Sequence, residues 1–348
     1  MGKIAPEVNT GMKVIILKND RGGDIMNSLK SICSIINREK NVTIFLSEMN
    51  ESFKFMFKNI GVKKLNFNLG IYDKIKLFVF ILINKIEKIY ILAPKNYYFY
   101  LAFIFRSIKF YAIVIDGKKR NRPPLFLRKY LHRFVVINRK KRVKDNTSEE
   151  KQILLVNNDI KISENIFNIL SIKKKIECID KIIPKNFYFF HYKNVFFNKI
   201  DWDLDKLDKF FNLLLMKCNK ILFSSDFDKK SNKKFTQKYP YINFNDKKKI
   251  IQNNQESKVL YLHDINIENM LHVIKSSNKS ICPHGIVSNM SVFCNVPTLA
   301  LFGYDIKSKI DYDHEMISFY EWYGNKSMDF TFLNNDFSKS IRKISTRI

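Results

Sequence analysis

The segment SICPHGIVSNMSVFCNVPTLALFG, residues 280–303, combines apolar runs and a turn in an order that indicates the fold class. Its apolar start predicts a strand that ends before a His284-Gly285 turn, and the small and apolar residues that follow predict a short helix. After Pro297, a second apolar run predicts another strand, which ends at Gly303. A strand, a helix and a second strand in this order are typical of a β-α-β unit with parallel strands.

The same alternation continues in the rest of the chain, where short runs rich in Ile, Val and Phe are separated by amphipathic segments. It predicts an α/β fold with parallel sheets. Strands are predicted at Val14–Lys18, Val42–Ser47, Ile89–Ala93, Phe110–Ile115, Phe187–Phe190, Lys220–Ser224, Ile281–Cys282 and Thr298–Phe302. Helices are predicted between them, including Leu204–Lys217 and Ile267–Ser277. The apolar stretch 97–115 is interrupted by Arg106 and Lys109, so it predicts a helix and a buried strand rather than a membrane span.

A charged segment divides the chain into two halves. Residues 139–151, RKKRVKDNTSEEK, have Val143 as their only apolar side chain and predict a linker. The chain has 348 residues, of which 46% are hydrophobic, and this is enough to fill two cores. We therefore predict an N-terminal domain at 1–150 and a C-terminal domain at 151–348, and the last helix of the chain could pack back on the first domain.

The net charge of +28 is spread along the chain. The 61 basic residues outnumber the 33 acidic ones, but lysines occur in nearly every segment, whereas a nucleic-acid groove gathers its charge. No nucleic-acid partner is therefore expected, although a basic nucleic-acid-binding protein stays open as an alternative. The five cysteines include no C-x-x-C pair, which argues against a disulfide framework or a zinc site and fits a reducing cytoplasm. We expect no cleavable signal in the polar first twelve residues.

The segment KNDRGGDIMNSL, residues 18–29, places two of the ten glycines of the chain between a predicted strand and a predicted helix. The helix is predicted by the apolar spacing of Ile25, Leu29, Ile32 and Ile36. Glycine at such a turn permits a positive φ and lets another molecule approach the backbone, and the free amides of a helix start attract anions or hydroxyl groups. From the residues alone, Asp24 is either a helix cap or a carboxylate that faces a ligand.

Three motifs, in order along the chain, resemble those of glycosyltransferase family 9, whose best-known members are the lipopolysaccharide heptosyltransferases. The R-x-G-D turn of the family is matched by Arg21, Gly22, Gly23 and Asp24. Its K-x-W-P segment is matched in part by Lys199, Ile200, Asp201 and Trp202. Its H-G-x-x-S-H turn, with the V-P-T and A-L-F-G that follow, is matched by His284, Gly285, Ser288 and NVPTLALFG at 295–303. The chain departs from the family at Asn289, where a histidine is usual, and in the K-x-W segment, which is one residue longer and lacks the proline.

The resemblance implies the GT-B fold, in which two doubly wound Rossmann-like domains face each other across a cleft. The first domain would bind the acceptor and the second would bind a nucleotide-diphosphate sugar. The implied activity is transfer of a heptose-like or other sugar, with inversion, to lipopolysaccharide or a related surface glycan or glycolipid. A catalytically silent relative that binds only nucleotide or glycan stays open as an alternative, because Asn289 replaces the histidine of the family.

The resemblance also assigns roles to individual residues. Asp24 would be the catalytic base that deprotonates the acceptor hydroxyl. Arg21, Gly22 and Gly23 would contribute to acceptor binding. The donor-binding groups would be Lys199, Ser225, Asp226, His284, Gly285, Ser288 and Asn289. The cation Lys199 and the helix that follows Gly285 would stabilise the leaving diphosphate, so we expect neither a metal nor a cofactor.

Two further patterns allow a purely structural interpretation as well as a functional one. The basic loop at 116–134 offers Lys119, Arg120 and Arg122 to a phosphorylated glycolipid at an anionic membrane surface, or is simply solvated. The expected location is the cytoplasm, with a peripheral position on the inner face of the inner membrane as one option. Three D-x-D patterns occur, at Asp201 and Asp203, Asp226 and Asp228, and Asp311 and Asp313. Residues two apart do not share a helix face, so we assign the first pattern to a helix start and predict no metal site.

Overall fold

The chain folds into two compact units, Met1–Ile172 and Lys173–Ile348, each built on a parallel sheet. The computed structural model describes residues 13–116, 123–138, 148–157, 166–172, 183–226, 229–244, 257–303 and 328–348. The expectation of two α/β domains is therefore confirmed.

The six described strands of the first unit lie in the order β3-β2-β1-β4-β5-β6, and all pairs are parallel. Strands β1 to β6 span Lys13–Lys18, Val42–Leu46, Gly61–Lys64, Ile86–Ile91, Lys109–Asp116 and Arg133–Asn138. Helices α1 to α7 span Gly22–Met26, Leu29–Arg38, Ile71–Ile83, Asn96–Ile104, Leu125–Arg128, Ser148–Val156 and Ile166–Ile169, and a 3₁₀ helix spans Glu48–Phe57. The central strand β1 is buried along nearly its whole length, as expected of a parallel sheet that is covered on both faces.

Helices α3, α4 and α5 share one core with the first sheet. Leu77 of α3 and Tyr98 of α4 belong to the same buried cluster as Ile15 and Leu17 of β1 and Leu127 of α5. The three helices therefore lie against one face of the sheet, and their outer sides are turned away from it.

The predicted linker is only partly a linker, because α6 begins inside it at Ser148. The side chain of Gln152 accepts a hydrogen bond from Ser28 Oγ (2.7 Å), and Glu149 pairs with Lys30 (2.8 Å), which fastens α6 to the first unit. The predicted boundary at residue 150 consequently falls within α6, and the first unit extends to Ile172. Residues 139–147 lie outside the described part of the chain.

The seven described strands of the second unit lie in the order β13-β12-β11-β7-β8-β10-β9, again all parallel. Strands β7 to β13 span Phe187–Tyr192, Lys220–Ser225, Tyr241–Asn243, Val259–His263, Lys279–Pro283, Thr298–Gly303 and Met328–Leu333. Helices α8 to α13 span Asn194–Lys199, Leu204–Leu215, Lys229–Lys238, Ile267–Ser276, Ile286–Phe293 and Phe337–Ser345. Trp202 packs against Phe210 of α9 and Phe337 of α13, with ring centroids 5.5 and 5.0 Å apart, so the last helix packs on the second unit.

All eight predicted strands are present, with ends displaced by a few residues. The stretch 97–115 is confirmed as a helix and a strand, α4 and β5. In the described parts of the chain, no helix combines the length and the hydropathy that a membrane span needs. Five further strands were not predicted, and β3 shows why: GVKK at an edge of the sheet is short and mostly exposed, so it carries no apolar run.

Candidate functional site

The strand order of the first unit has a topological switch point beside β1. Strands β2 and β3 lie on one side of β1, and strands β4, β5 and β6 lie on the other. The order in which the chain adds strands to the sheet therefore reverses between β1 and β4. Ligands of open α/β sheets bind at such a switch point, beyond the carboxyl ends of the strands. The segment Asn19–Asp24 follows β1 at this point, and Lys95 follows β4.

The R-x-G-D turn is the start of helix α1. Arg21 is the N-cap, without a side-chain cap bond, and Gly22, Gly23 and Asp24 are the first three helical residues. The cap alternative for Asp24 is therefore wrong, and neither glycine has a positive φ, which Gly285 alone has among the described glycines. No residue in the described ranges donates a hydrogen bond or forms an ion pair with the Asp24 carboxylate, which is partly exposed beside the switch point.

A second carboxylate, which the sequence analysis did not single out, lies beside Asp24. Asp20 Oδ2 is 2.7 Å from Lys18 Nζ, and the Asp20 side chain is 17% exposed. Its backbone carbonyl accepts hydrogen bonds from Ser47 Oγ (2.6 Å) and Asn50 Nδ2 (3.0 Å), so the turn is held by the loop after β2. Burial raises the pKa of Asp20 to about 6, against the opposing charge of Lys18, and the negative charge of Asp24 raises it further.

Aromatic and basic side chains complete this edge of the first sheet. The ring of Phe67 lies 4.7 Å from Lys95 Nζ and 5.9 Å from the guanidinium carbon of Arg21. Lys95 also donates to the Phe67 carbonyl (2.6 Å), and its burial lowers its pKa. Tyr98 donates to Asn19 Oδ1 (2.6 Å), which ties α4 to the turn after β1. The predicted acceptor-binding residues Lys119, Arg120 and Arg122 lie outside the described residues.

Because the pKa of Asp20 is raised in the folded chain, the free energy of unfolding should decrease as the pH rises. Between the unfolded pKa of 3.8 and the folded value of about 6, the folded chain keeps a proton that the unfolded chain releases. The free energy of unfolding should therefore fall as pH rises through this window, by at most about 3 kcal/mol at 1.36 kcal/mol per pKa unit. The measurement is urea unfolding of the wild type and of Asp20→Asn. Relative to the variant, the free energy of unfolding of the wild type should fall by up to this amount between about pH 4 and about pH 7.

The matched control for this prediction is Asp205→Asn, because the Asp205 side chain is 88% exposed on α9. The difference between wild type and this control should not change with pH by a comparable amount. Equal pH slopes for wild type and Asp20→Asn would show that Asp20 ionises in the folded chain as it does in water.

The second sheet has its own switch point, between β7 and β11. From β7 the chain proceeds to β8, β9 and β10 on one side, and β11, β12 and β13 lie on the other. Lys193 follows β7 directly, and His284 and Gly285 follow β11. A Cβ on Gly285 would lie 3.8 Å from Lys193 Nζ, so this ammonium group lies against the His284-Gly285 turn. Gly285 has φ 155°, a conformation that favours glycine.

His284 is held as a neutral ring at this turn. It stacks on Phe302 with ring centroids 4.7 Å apart and planes 17° apart, and its Nδ1 is buried with no hydrogen-bond partner in the described ranges. Burial, followed by the positive charge of Lys193, lowers the pKa of His284 to about 4. A neutral imidazole at pH 7 has one N–H donor and one acceptor nitrogen to offer to a ligand.

The other residues of the H-G-x-x-S motif form the start of α12. Ser288 Oγ accepts a hydrogen bond from the Gly285 N–H (3.0 Å) and donates to the Gly285 carbonyl (2.8 Å), and the residue is fully buried. The Ser288 hydroxyl, which was expected to bind a phosphate or sugar, therefore already bonds to the backbone of Gly285. Asn289 is 7% exposed on the same helix.

A pocket of about 210 Å³ opens beside α8 in the second unit. It is lined by Lys193, Val195, Phe196, Lys199, Ile200, Gly303 and Asn335. Lys199, predicted from the resemblance, therefore shares a pocket with Lys193, which the sequence analysis missed. The pocket thus brings together two ammonium groups, with no carboxylate among its described lining residues, and such groups attract anions. Gly303 keeps the wall compact, since a Cβ there would lie 3.3 Å from the Phe196 ring.

Of the two remaining predicted donor-binding residues, Asp226 contacts the start of α8. Asp226 Oδ2 accepts a hydrogen bond from the first N–H of α8, at Asn194 (2.8 Å), and Oδ1 lies 3.6 Å from His191 Nε2. Burial alone would raise the pKa of Asp226, but the hydrogen bond and charge of His191 outweigh it and the pKa is lowered. Ser225 Oγ lies 2.7 Å from the hydroxyl of Tyr261. Asp226 thus positions α8, which carries Lys199.

Of the D-x-D patterns, the first is confirmed as a helix start, since Asp203 is the N-cap of α9 and accepts from the Lys206 N–H (2.8 Å). The second member of the next pattern, Asp228, and both members of the last, Asp311 and Asp313, lie outside the described residues. Trp202, matched to the K-x-W segment, is 2% exposed and packs in the core between α8 and α9.

A scan against protein-family models finds no match for this sequence, and a search of curated proteins also finds none. Solved structures are similar over nearly the whole chain. Heptosyltransferase WaaC from E. coli, solved with ADP-2-deoxy-2-fluoro heptose, has a TM-score of 0.58 at 11% identity and covers 97% of this chain and 98% of its own. A family 9 glycosyl transferase from Veillonella parvula has a TM-score of 0.57 at 11% identity, covering 96% and 91%.

The same fold also occurs in a protein with another activity. UDP-GlcNAc 2-epimerase from Methanocaldococcus jannaschii has a TM-score of 0.54 at 12% identity, covering 97% of this chain and 92% of its own. The likeness therefore establishes the fold, and the site must establish the activity. The chain has the GT-B fold, built from two Rossmann-like units, of the heptosyltransferases and of glycosyltransferase family 9.

Proposed function

We propose that this protein is an inverting glycosyltransferase that moves a sugar from a nucleotide-diphosphate donor to the hydroxyl group of a glycan or glycolipid acceptor. The proposal rests on one observation: the first unit presents the Asp24 carboxylate at its switch point, and the second presents an anion pocket with Lys193 and Lys199 at its own. A transferase needs a base for the acceptor and cations for the leaving group, and these are the two groups present.

In the proposed reaction, Asp24 accepts the proton of the acceptor hydroxyl as the oxygen attacks the anomeric carbon. The bond from that carbon to the diphosphate oxygen breaks on the opposite face, so the configuration inverts and the nucleotide diphosphate leaves with the bonding electrons. Lys193 and Lys199 stabilise the negative charge that develops on the diphosphate. The N–H of the neutral His284, or its acceptor nitrogen, orients the phosphates or the sugar at the Gly285 turn.

In this proposal each unit binds one of the two substrates. The first unit binds the acceptor through Arg21 and the bare glycine backbone of α1, and the second binds the donor. The neighbours named above include a heptosyltransferase solved with an ADP-heptose analogue, which supports a nucleotide sugar as donor and a heptose-like sugar as one candidate. A lipopolysaccharide or related surface glycan is the acceptor class that we propose, with a peripheral position at the inner face of the inner membrane.

Donor binding is tested by a thermal-shift series with ADP, UDP, GDP and their sugar conjugates. A nucleotide present at about a hundred times its dissociation constant should stabilise the fold by about 2.7 kcal/mol, since it binds the folded chain alone. The nucleotide that stabilises the chain is then tested as a sugar donor in a transfer assay. Release of nucleotide diphosphate with a glycosylated acceptor supports the proposal.

Three outcomes would contradict it. Stabilisation by a nucleotide sugar without any transfer would indicate a catalytically silent relative, and conversion of the sugar nucleotide without an acceptor would indicate an epimerase. Failure of every nucleotide to stabilise the chain would remove the pocket of Lys193 and Lys199 from donor binding.

A further inference from the structure

The outer sides of α3, α4 and α5 form an exposed apolar surface. Eleven of the seventeen large hydrophobic side chains that are exposed in the described residues lie on these three helices. They are Ile71, Tyr72, Ile75, Val79, Leu82, Ile83, Tyr100, Phe103, Ile104, Leu125 and Phe126. Single exposed hydrophobic residues are ordinary, but a contiguous group of this size marks an interaction surface. We call it the α3–α5 face.

Helix α3 shows that this surface is not an ordinary solvent-facing side. Asp73, Leu77 and Ile81 are buried against the sheet, and Ile75 and Leu82 on the opposite side are each 57% exposed. A surface helix normally carries polar residues on its outer side, whereas α3 is apolar nearly all round. Its 13 residues span about 20 Å at 1.5 Å each, which is shorter than the roughly 30 Å core of a bilayer. Such a helix can lie in a membrane interface but cannot cross the membrane.

The three helices form one continuous surface. Tyr97 of α4 donates a hydrogen bond to the carbonyl of Lys74 in α3 (2.7 Å), and the rings of Phe78 and Phe105 lie 5.1 Å apart. The ring of Phe103, on α4, packs edge-on against a ring just beyond the end of α5, with centroids 5.1 Å apart. The face is therefore a single patch that extends across the first unit.

The charges in the three chain segments that carry the face favour an anionic partner. The segments 71–85, 95–110 and 123–134 contain nine basic residues: Lys74, Lys76, Lys85, Lys95, Arg106, Lys109, Arg128, Lys129 and Arg133. The one acidic residue in these segments is Asp73, which is 4% exposed and bonded to Asn66 (3.0 Å) and to the Gly70 N–H (3.2 Å). Anionic lipid headgroups attract such a surface, whereas a second copy of it would bring like charges together.

The face also begins beside the candidate acceptor site. The carboxylate of Asp73, at the start of α3, binds Asn66, and the carbonyl of Asn66 accepts a hydrogen bond from Asn19 Nδ2 (2.9 Å), next to Asp20. We propose that the α3–α5 face docks the first unit on an anionic lipid bilayer, with the apolar side chains in the headgroup region and the basic ones on the lipid phosphates. This inference rests on the proposed function, since a lipid-linked acceptor would then be presented at the edge that carries Asp24.

The test is sedimentation with vesicles of phosphatidylcholine and of a phosphatidylcholine–phosphatidylglycerol mixture. The full chain should bind the anionic vesicles, and both added salt and removal of phosphatidylglycerol should weaken binding. The triple variant Ile71→Ser, Ile75→Ser, Leu82→Ser removes three side chains that are 77%, 57% and 57% exposed, so it should fold and lose at least about tenfold in partitioning. The control Met49→Ser, Met216→Ser changes residues that are 49% and 79% exposed outside the face and should bind as wild type does.

Equal binding by the triple variant and the wild type would overturn the inference, as would no binding by the wild type. Self-association of the wild type in solution that the triple variant loses, without vesicle binding, would assign the face to a second copy and also overturn it. The nucleotide-induced thermal shift is measured on both variants in parallel. A retained shift with no vesicle binding rejects the docking face alone, and a missing shift with intact vesicle binding rejects the proposed function alone.

Discussion

The Asp24→Asn variant is expected to transfer sugar about 10² to 10⁴ times more slowly than the wild type, which is the usual contribution of a positioned general base. The substitution keeps the size of the side chain and removes its capacity to accept the proton. Because the Asp24 carboxylate forms no hydrogen bond or ion pair with the described residues and Asp24 is not the N-cap of α1, the variant should fold normally. The measurement is single-turnover transfer with saturating donor, so that chemistry is observed separately from binding.

Three measurements make this result specific to the base. The nucleotide-induced thermal shift should be unchanged in Asp24→Asn, because the donor pocket lies on the second unit. The exposed control Asp205→Asn should transfer at the wild-type rate. Full activity in Asp24→Asn together with a large loss in Asp20→Asn would assign the base to Asp20 and contradict the proposal. Full activity in both variants would show that neither Asp20 nor Asp24 is the catalytic base.

The position of Asp24 could be predicted because it depends on neighbours in sequence. The apolar run of β1 and the helical spacing that begins at Ile25 place the glycines and Asp24 at a strand-to-helix turn without any knowledge of the remainder of the chain. Asp20 is different, since burial raises its pKa against the opposing charge of Lys18, and its turn is held through its backbone carbonyl by Ser47 and Asn50 in a distant loop. Contacts between loops that are far apart in sequence are not encoded in local periodicity.

The pocket lined by Lys193 and Lys199 shows the same limit. Lys199 was identified only through its place beside Trp202 in a family motif, and Lys193 is one of 61 basic residues with no local feature to distinguish it. The register of β7 beside β11 brings Lys193 to the His284-Gly285 turn. The predicted boundary at residue 150 falls within α6, because this helix begins in the charged segment at Ser148 and its buried apolar residues Ile153, Leu155 and Val156 come only after that segment.

The double variant Lys193→Met, Lys199→Met is expected to bind nucleotide diphosphates about a hundredfold more weakly than the wild type. A hydrogen bond to a charged group contributes about 1.5 to 3 kcal/mol, and we take the lower end, about tenfold for each lysine, because Lys199 is exposed and solvent screens its charge. Methionine preserves the aliphatic stem that lines the pocket beside Phe196. The measurement is isothermal titration with the nucleotide diphosphate that gives the largest thermal shift.

The single variants measure the two lysines separately: Lys193, which was identified from the structure, and Lys199, which was identified from the family motif. Lys193→Met should weaken binding at least as much as Lys199→Met, because Lys193 is half-buried against the Gly285 turn, where its charge is screened less by solvent. The loss should shrink as salt is raised. The control Lys209→Met removes an exposed lysine of α9 that does not line the pocket and should leave affinity unchanged. An equal loss in this control would mean that the lysines act only through the overall charge of the chain, and an unchanged affinity in Lys193→Met would remove this residue from the donor site.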